Sequence, residues 1–289
     1  MKKICKILIV ILLCLPFLAG CVKLALKLSP SLIPNLTQVF FEECDTDIAR
    51  LSMPADLKLI EGLLKNDPKN KQLLTTLCMG FTGYTMLFIE EEDPERASKL
   101  YLRARNYGFK ALGLMKPISE EVGPERNNIL NRLANINNEE LQILFWTTMS
   151  WNAWINLNLD KPIAIAQLSI AQACLEKVLE INPDYFYGTP YILLGSILAS
   201  KPALLGGNNE KARECFEKAI NLNDGKFFLA QYYFAKYYAV RIQNKGLFFK
   251  LIKDIDSIDP YELKEACLIN VVMKQKTKRL MKMSDELFF

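Results

Sequence analysis

The sequence predicts an all-α protein, a right-handed, solenoid-like array of paired helices. Residues 181–224 have the pattern of a helix, a glycine-containing turn and a second helix, each with apolar side chains at helical spacing. The second helix follows the order Ala-x3-aromatic-x2-Ala, which occurs at residues 97–104 and again at residues 212–219. No stretch indicates a β-sheet. Paired helices bury their apolar faces only against neighbouring pairs, so an array of them is the expected architecture.

The first twenty residues are predicted to be an export signal that is removed. A basic start, MKKICK, precedes an apolar run at residues 7–18 that is shorter than the roughly 20 residues needed to span a bilayer. The sequence LAGC at residues 18–21 resembles the bacterial lipoprotein box, in which the cysteine thiol receives a diacylglyceryl group. Cys21 is therefore the predicted lipidation site and membrane anchor. An uncleaved anchor or a plain secretory signal is the alternative.

Residues 21–52 are predicted to be a lipidated tether followed by an N-terminal arm. The stretch from Val22 to Thr37 contains Pro30 and Pro34 and has no clear period. The helical pattern begins at Met53, so the predicted helical domain covers residues 53–289.

Acidic residues and prolines separate the first two helical stretches of this domain. The first is predicted to end at Asn66-Asp67-Pro68, and the second is broken by Glu90-Glu91-Glu92-Asp93. Pro94, behind these acids, is a good start for the next helix. The apolar positions of the two stretches are Leu57, Ile60 and Leu64, and then Leu73, Leu74, Leu77, Phe81, Tyr84 and Phe88.

The middle of the chain consists of a polar connection and a tryptophan-rich helix. Residues 116–138 are predicted to be a short helix flanked by loops. The helix from Glu139 to Leu157 carries all three tryptophans, which fall within an arc of about 140° at 100° per residue. Trp146, Trp151 and Trp154 therefore form either the wall of an apolar cavity or a surface that packs against neighbouring helices.

The next two stretches follow the tetratricopeptide pattern. Residues 162–181 form a predicted helix with Ala171-x3-Leu175-x2-Val178, followed by Pro183. In the hairpin after it, an aromatic residue and Leu-Gly are expected on the first helix, and Ala-x3-Phe on the second. The matching residues are Tyr191, Leu194, Gly195, Ala212 and Phe216.

The connection inside this hairpin is longer than a tight repeat turn. Residues 199–209 contain Lys201-Pro202, Leu204, Leu205 and the pair Gly206-Gly207. Pro202 ends the first helix, and the glycines permit backbone angles closed to other residues. Such a loop is a candidate functional element.

The C-terminal helices are aromatic and then basic. Residues 226–240, KFFLAQYYFAKYYAV, are apolar on almost every side, which is typical of a buried helix or of one lining an apolar cleft. Further helices are predicted at residues 246–255 and 262–283. The last one carries a basic group that forms either a solvated face or a contact with anionic lipid or an acidic partner. The basic residues are Lys274, Lys276, Lys278, Arg279 and Lys282.

The composition of the chain disfavours several classes of function. The chain has no histidine, which removes the usual general base and the commonest metal ligand, so an enzyme is the less favoured class. Removal of the leader lysines Lys2, Lys3 and Lys6 lowers the net charge from +4 to +1. A protein with so small a net charge has no general attraction to nucleic acid. No cofactor or metal site is predicted. One disulfide can form among the body cysteines, but the sequence does not assign it; these are Cys44, Cys78, Cys174, Cys215 and Cys267.

Residues 187–220 resemble a known family. The turn at residues 201–208 and the helix segment at residues 211–219, KARECFEKA, are similar to those of the T-component of tripartite ATP-independent periplasmic (TRAP) transporters. The match is specific over roughly forty residues, and elsewhere it depends on the order of the helices and the aromatic helices. Two positions depart from the pattern: Asn208 replaces the usual acid and Lys201 replaces a leucine.

The resemblance implies a function. It implies a tetratricopeptide-like periplasmic lipoprotein that forms homotrimers, docks the substrate-binding P-component and passes it a small ligand, which can be hydrophobic. Which bacterial membrane holds the anchor stays open. The alternative is a membrane-tethered scaffold with no ligand of its own. The residues expected near a pore or pocket are Trp146, Trp151, Trp154, Tyr191, Leu204, Leu205, Gly206, Gly207, Phe228, Tyr233 and Tyr237.

Overall fold

The computed structural model describes residues 31–114 and 124–288. Within these ranges all regular elements are helical and none is a strand, which confirms the all-α prediction. The predicted signal peptide and Cys21 lie outside the described residues. The right-handed, solenoid-like array is not confirmed, because the last helices pack against the first.

The described chain contains fourteen α-helical segments. In the first half they are α1 Leu32–Glu42, α2 Thr46–Asn66, α3 Lys71–Tyr84, α4 Pro94–Ala111, α5 Arg126–Ala134 and α6 Leu141–Asn156. In the second half they are α7 Pro162–Ile165, α8 Leu168–Ile181, α9 Tyr185–Ser200, α10 Asn209–Asn221, α11 Phe228–Tyr233, α12 Lys245–Ser257, α13 Cys267–Lys282 and α14 Ser284–Leu287. Two π-helical segments, Thr85–Ile89 and Phe234–Ala239, extend α3 and α11.

Polar side chains cap several helix starts. The Asp93 carboxylate accepts a hydrogen bond from the Arg96 backbone N–H at 3.0 Å, and Pro94 occupies the first turn as predicted. Asn208 caps α10 in the same way, accepting from the Lys211 N–H at 3.0 Å. The replacement of an acid by Asn208 therefore preserves the cap.

Helix hairpins form the body of the protein. Helix α3 packs on α4, α6 on α8, and α9 on α10. In the last pair a Cβ atom on Gly195 would lie 3.0 Å from the Phe216 ring, so the glycine permits the close approach of the two helices. Ala212, Phe216 and Ala219 are fully buried, and the predicted pattern of small residues and one aromatic residue is confirmed here.

The helices begin earlier in the chain than predicted. Residues Leu32–Glu42 and Thr46–Asn66 are helical, so helical structure begins before Met53, where the helical pattern was predicted to start. Pro34 lies in the first turn of α1, where its missing N–H has no helical partner to lose. The helix predicted at residues 162–181 is also divided, into α7 and α8.

The two ends of the described chain meet. A disulfide joins Cys44, after α1, to Cys267 at the start of α13, 223 residues later. The Lys264 ammonium lies 3.2 Å from the Glu42 carboxylate beside it. Helix α13 also packs on α1 and α2, so the array closes on itself.

Part of the C-terminal basic cluster points inward. Lys276 is only 5% exposed, and its ammonium donates a hydrogen bond to the Met86 carbonyl at 2.9 Å and lies 3.4 Å from Glu91. The Arg279 guanidinium pairs with the same carboxylate at 3.1 Å. A solvated face is therefore the wrong interpretation for Lys276, whose acidic partner lies in the same chain.

Two stretches of the described residues have the length and apolar composition of a membrane span, Lys71–Ile89 and Pro162–Ile181. The first is mostly buried inside the protein. A core helix passes the same test by composition, and α3 is such a helix.

Candidate functional site

A cleft of about 580 Å³ lies between α1, the first turns of α3 and α6, and the start of α9. Helix α1 forms one wall of the cleft. Part of the segment that was predicted to be an N-terminal arm therefore belongs to the site. The lining residues are Ile33, Pro34, Thr37, Gln38, Phe41, Lys71, Gln72, Thr75, Thr76, Met79, Glu139, Glu140, Gln142, Ile143, Phe186, Tyr187 and Glu265.

A strained bend contributes two aromatic residues to this cleft. Phe186 and Tyr187 have φ of 47° and 60°, in the left-handed region that side chains with a Cβ seldom occupy, and Gly188 follows at 75°. The Thr189 hydroxyl donates to the Phe186 carbonyl at 2.6 Å, and the Asn223 amide donates to the Tyr187 carbonyl at 3.0 Å. Strain of this kind, about 1–3 kcal/mol per residue, is often found at functional sites.

An aromatic cluster supports the bend from inside the protein. The Phe186 ring lies 5.4 Å from that of Phe41 and 5.1 Å from that of Trp146, measured between centroids. Phe145 packs against both Trp146 and Tyr185 at 5.0 Å. The bend is thus fixed between α1 and α6, which sets the width of the cleft.

Charged and amide groups form the polar side of the cleft. The Glu140 carboxylate accepts from Arg132 at 2.6 Å and from Lys71 at 3.1 Å. Burial alone would raise the pKa of Glu140, but the two cations lower it below its ordinary value. Glu140 is therefore held as a carboxylate whose charge is already compensated, and it is poorly suited to act as a general base.

The lining combines apolar surface with hydrogen-bonding groups. The Thr75 and Thr76 hydroxyls donate to carbonyls of their own helix, so their lone pairs remain as acceptors. Among the described residues no group of three or more His, Cys, Asp or Glu side chains could hold a metal ion. This chemistry suits a ligand with both an apolar and a polar part.

Two of the predicted tryptophans enclose a buried arginine instead of lining a cavity wall. Trp151 and Trp154 are each 1% exposed, and the Arg105 guanidinium lies 5.8 and 5.5 Å from their rings. The Trp151 indole N–H donates to Gln167 at 2.8 Å. Trp146, 2% exposed, belongs to the separate cluster behind Phe186. In this chain all three pack between helices.

The loop at residues 199–209, predicted to be a functional element, does not line the cleft. The Leu204 side chain is 99% exposed, and Leu205 belongs to the same short 3₁₀ turn. Gly206 has φ of 85°, and a Cβ on Gly207 would lie 1.9 Å from the Lys201 carbonyl oxygen, so both glycines are required by the backbone. Tyr191 lies away from this turn, with the Lys218 ammonium 4.4 Å from its ring.

The predicted tyrosines lie in a cluster around the two π-helical segments. The Tyr233 and Tyr237 rings are 5.1 Å apart, and Phe228 is fully buried nearby in the chain. The Tyr232 hydroxyl donates to Glu91 at 2.8 Å, and burial raises the pKa of that hydroxyl. Burial also raises the pKa of Tyr237.

Glu91 is the centre of this cluster. Burial would raise its pKa, but Lys276, Tyr232 and Lys236 lower it to about 2. Burial lowers the pKa of Lys276, although Glu91 opposes this. Lys276 is a desolvated lysine of the kind an enzyme can use, yet it holds α13 against the N-terminal half and does not line the cleft.

The described residues that line the cleft include none of the eleven residues predicted from the sequence. The structure places those residues in separate parts of the molecule: the core, the exposed loop and the Glu91 cluster. One signal of the cleft was present, the run Tyr185-Phe186-Tyr187-Gly188, in which aromatic residues precede a glycine. The roles of the predicted residues stay predictions.

Comparison with known proteins shows the family. The sequence profile of the TRAP transporter T-component matches residues 42–288. The chain belongs to this family. The match begins at the last residue of α1 and extends through α14, so it includes every hairpin and the Glu91 cluster.

An uncharacterized protein of Treponema pallidum (strain Nichols) is similar to this chain. The two sequences are 25% identical over 280 residues, which cover 88% of this chain and 84% of the relative. Membership of the family indicates an accessory role in a TRAP transporter and not the role of a known enzyme family.

Proposed function

We propose that this T-component is a periplasmic lipoprotein, anchored through Cys21, that docks the substrate-binding P-component of a TRAP transporter and assists uptake of a small ligand. The observation that carries the proposal is the family match over residues 42–288. The cleft between α1 and the Phe186–Gly188 bend is the surface that we assign to the ligand. No catalytic step is proposed.

The chemistry of the cleft supports a transfer role. A ligand with an apolar part can contact Phe41 and Phe186, while its polar part reaches the hydroxyls of Thr75 and Thr76. A cleft that is open to solvent on one side can release its ligand to a partner without unfolding. The strained bend also supports binding, because residues with strained backbone cluster at ligand-binding sites.

The disulfide supports export. Disulfides persist in oxidising compartments such as the bacterial periplasm and are rare in the cytosol. The Cys44–Cys267 bond is consistent with the export signal predicted at residues 1–20. The proposed homotrimer derives from the family resemblance.

The experiment is co-purification with the P-component of the same transport system. The mature protein should form a complex with that component in size-exclusion chromatography, and native mass spectrometry should show a retained small molecule. Thr75→Trp should displace the molecule by filling the cleft. Leu159→Trp is the matched control, because Leu159 is 49% exposed and lies outside the cleft lining.

Each result decides one part of the proposal. Ligand retention by the folded Thr75→Trp protein would refute the assignment of the cleft. The absence of a complex with the P-component would refute docking. Association with other proteins, with no small molecule retained, would instead favour a membrane-tethered scaffold.

A further inference from the structure

The outer face of α2 carries an apolar stripe that the other described residues leave exposed. Its large side chains are Ile48, Leu51 and Leu59, which are 55%, 78% and 59% exposed. Ala55 and Gly62 lie on the same face and are also exposed. At 100° per residue these positions fall within about 80° of arc and extend over about 21 Å of helix. Single exposed apolar residues are ordinary, but a stripe of this length indicates a surface that binds a partner.

The opposite face of α2 is buried in the body of the protein. Met53, Leu57 and Ile60 belong to the hydrophobic core. On the outer face, a Cβ atom on Gly62 would have no neighbour within 4 Å. The space beside the stripe is therefore open, and a second helix can approach it there.

The charges at the two ends of the stripe are opposite in sign. Residues 43–47 contain three acids and no base, while residues 65–69 contain two lysines and one acid. The charged residues of the two ends are Glu43, Asp45 and Asp47, and then Lys65, Asp67 and Lys69. An anionic lipid surface is disfavoured as the partner, because it would repel the acidic end.

The charges between the two ends are paired within the chain. The Arg50 guanidinium donates to Glu92 at 2.8 Å, and the Lys58 ammonium lies 2.6 Å from Glu61. These pairs leave the apolar stripe with a compensated border along its length.

Two charges at the ends of the stripe are left for a partner. Asp47 and Lys65 are exposed, and neither makes an ion pair with another described residue. Both lie on the same side of α2, about 80° from the centre of the stripe. A partner that offers a lysine to Asp47 and an acid to Lys65 would therefore complement this face.

A second copy of α2, packed antiparallel, supplies these groups. A two-fold axis near residue 56 places Asp47 opposite Lys65 of the second copy, and symmetry forms the same pair again. This register also places Leu51 beside Gly62 of the second copy, and Leu59 beside Ala55. Large side chains then face small ones, as close packing of two helices requires. Asp56 lies about 100° from the centre of the stripe and so outside the contact.

We infer that the outer face of α2 is a contact between two copies of this chain, packed antiparallel about a two-fold axis. The inference goes beyond the proposed function and does not depend on the ligand or on the P-component. A two-fold contact closes on itself, so it doubles any assembly formed through other surfaces, the proposed trimer included. The contact of one helix pair is small, below about 1,200 Å² in total, so a micromolar dissociation constant is expected.

The test is analytical ultracentrifugation of residues 22–289 across the micromolar concentration range. The average mass should rise with concentration to twice that of the smallest species. Leu51→Glu should weaken this association by about tenfold or more, because its carboxylate would have to leave water inside the contact. Leu159→Glu is the matched control, since Leu159 is 49% exposed and lies outside α2, and it should associate as the wild type does.

A second variant blocks the contact without disturbing the single copy. Gly62→Gln adds a side chain where the chain itself has no atom within 4 Å, and glutamine favours a helix more than glycine does. The added side chain would occupy the space assigned to Leu51 of the second copy. The variant should therefore keep or raise Tm and lose association.

Reversal of the end charges tests the antiparallel register. Asp47→Lys and Lys65→Asp should each weaken association by about fivefold or more, because both copies of the ion pair become like-charged. The two changes together exchange the signs and should restore association. Circular dichroism confirms that each variant is folded.

Four outcomes would overturn the inference. They are a wild-type mass that does not change with concentration, equal loss of association in Leu159→Glu, and failure of the double charge reversal to restore association. The fourth is unchanged self-association of Leu51→Glu together with loss of its binding to the P-component, which would assign the stripe to that partner.

Discussion

Removal of the Cys44–Cys267 disulfide should cost a large part of the stability. In the chain-entropy treatment, a bridge that closes a loop of 223 residues lowers the entropy of the unfolded chain enough to stabilise the fold by about 5 kcal/mol. Measured losses for native disulfides are about 2–5 kcal/mol. For a protein of this size, each kcal/mol corresponds to roughly 2–4 °C in Tm, so Cys44→Ala should lower Tm by about 10 °C.

The assay is thermal unfolding followed by circular dichroism, with and without a phosphine reductant. Reductant should lower Tm of the wild type towards that of Cys44→Ala and should leave the variant unchanged. Cys215→Ala is the control, since Cys215 is a half-buried free thiol, and it should unfold near the wild-type temperature. Equal Tm values for oxidised wild type and Cys44→Ala would refute the reasoning, as would a thiol count that finds no bridge.

Three further predictions concern charge, backbone and packing. The pKa of Glu91 is lowered from 4.5 to about 2, so the stabilisation by its carboxylate, up to about 3 kcal/mol, is present above pH 4.5 and is lost towards pH 2. The free energy of unfolding in urea should therefore change less between pH 6 and pH 3 for Glu91→Gln than for wild type. An equal change in the two proteins would contradict this. Gly207→Ala should cost about 1–3 kcal/mol in urea unfolding, because its Cβ would meet the Lys201 carbonyl oxygen at 1.9 Å, and an unchanged midpoint would show that the loop relaxes freely. Trp151→Phe should cost about 1–3 kcal/mol, because it removes both the indole N–H that donates to Gln167 and part of a fully buried ring, while Arg105 still donates to the same Gln167 oxygen at 3.1 Å; a loss below the error of the measurement would contradict this.

Local signals predicted some of the helix boundaries. Asn66-Asp67-Pro68 ends α2, and Asp93-Pro94 begins α4, because capping and proline geometry act within one turn. The small and aromatic residues of α9 and α10 predicted their close packing for the same reason. The family resemblance was confirmed over nearly the whole chain.

Contacts between distant residues could not be predicted in this way. Five body cysteines allow many pairings, and only the closed array brings Cys44 beside Cys267. Lys274 and Lys276 are equivalent in a sequence pattern, yet Lys276 is buried because α13 turns that face towards Met86.

The cleft was missed for the same physical reason. Its lining comes from α1, α3, α6, the bend at Phe186 and Tyr187, and Glu265, so residues as far apart in the sequence as Ile33 and Glu265 meet there. Aromatic content pointed instead to Trp151 and Trp154, whose size makes them core residues as readily as ligand contacts.

The wide separation of the two bridged cysteines also constrains how the protein is made. Of the five body cysteines, a chain that emerges from its N-terminus exposes Cys44 first, then Cys78, Cys174 and Cys215, and Cys267 last. Early oxidation would join the wrong partners. Burial raises the pKa of Cys78 and Cys174 to about 12, so in the folded protein these two remain unreactive thiols. Assembly of the helices before oxidation therefore favours the Cys44–Cys267 bridge over the other pairings.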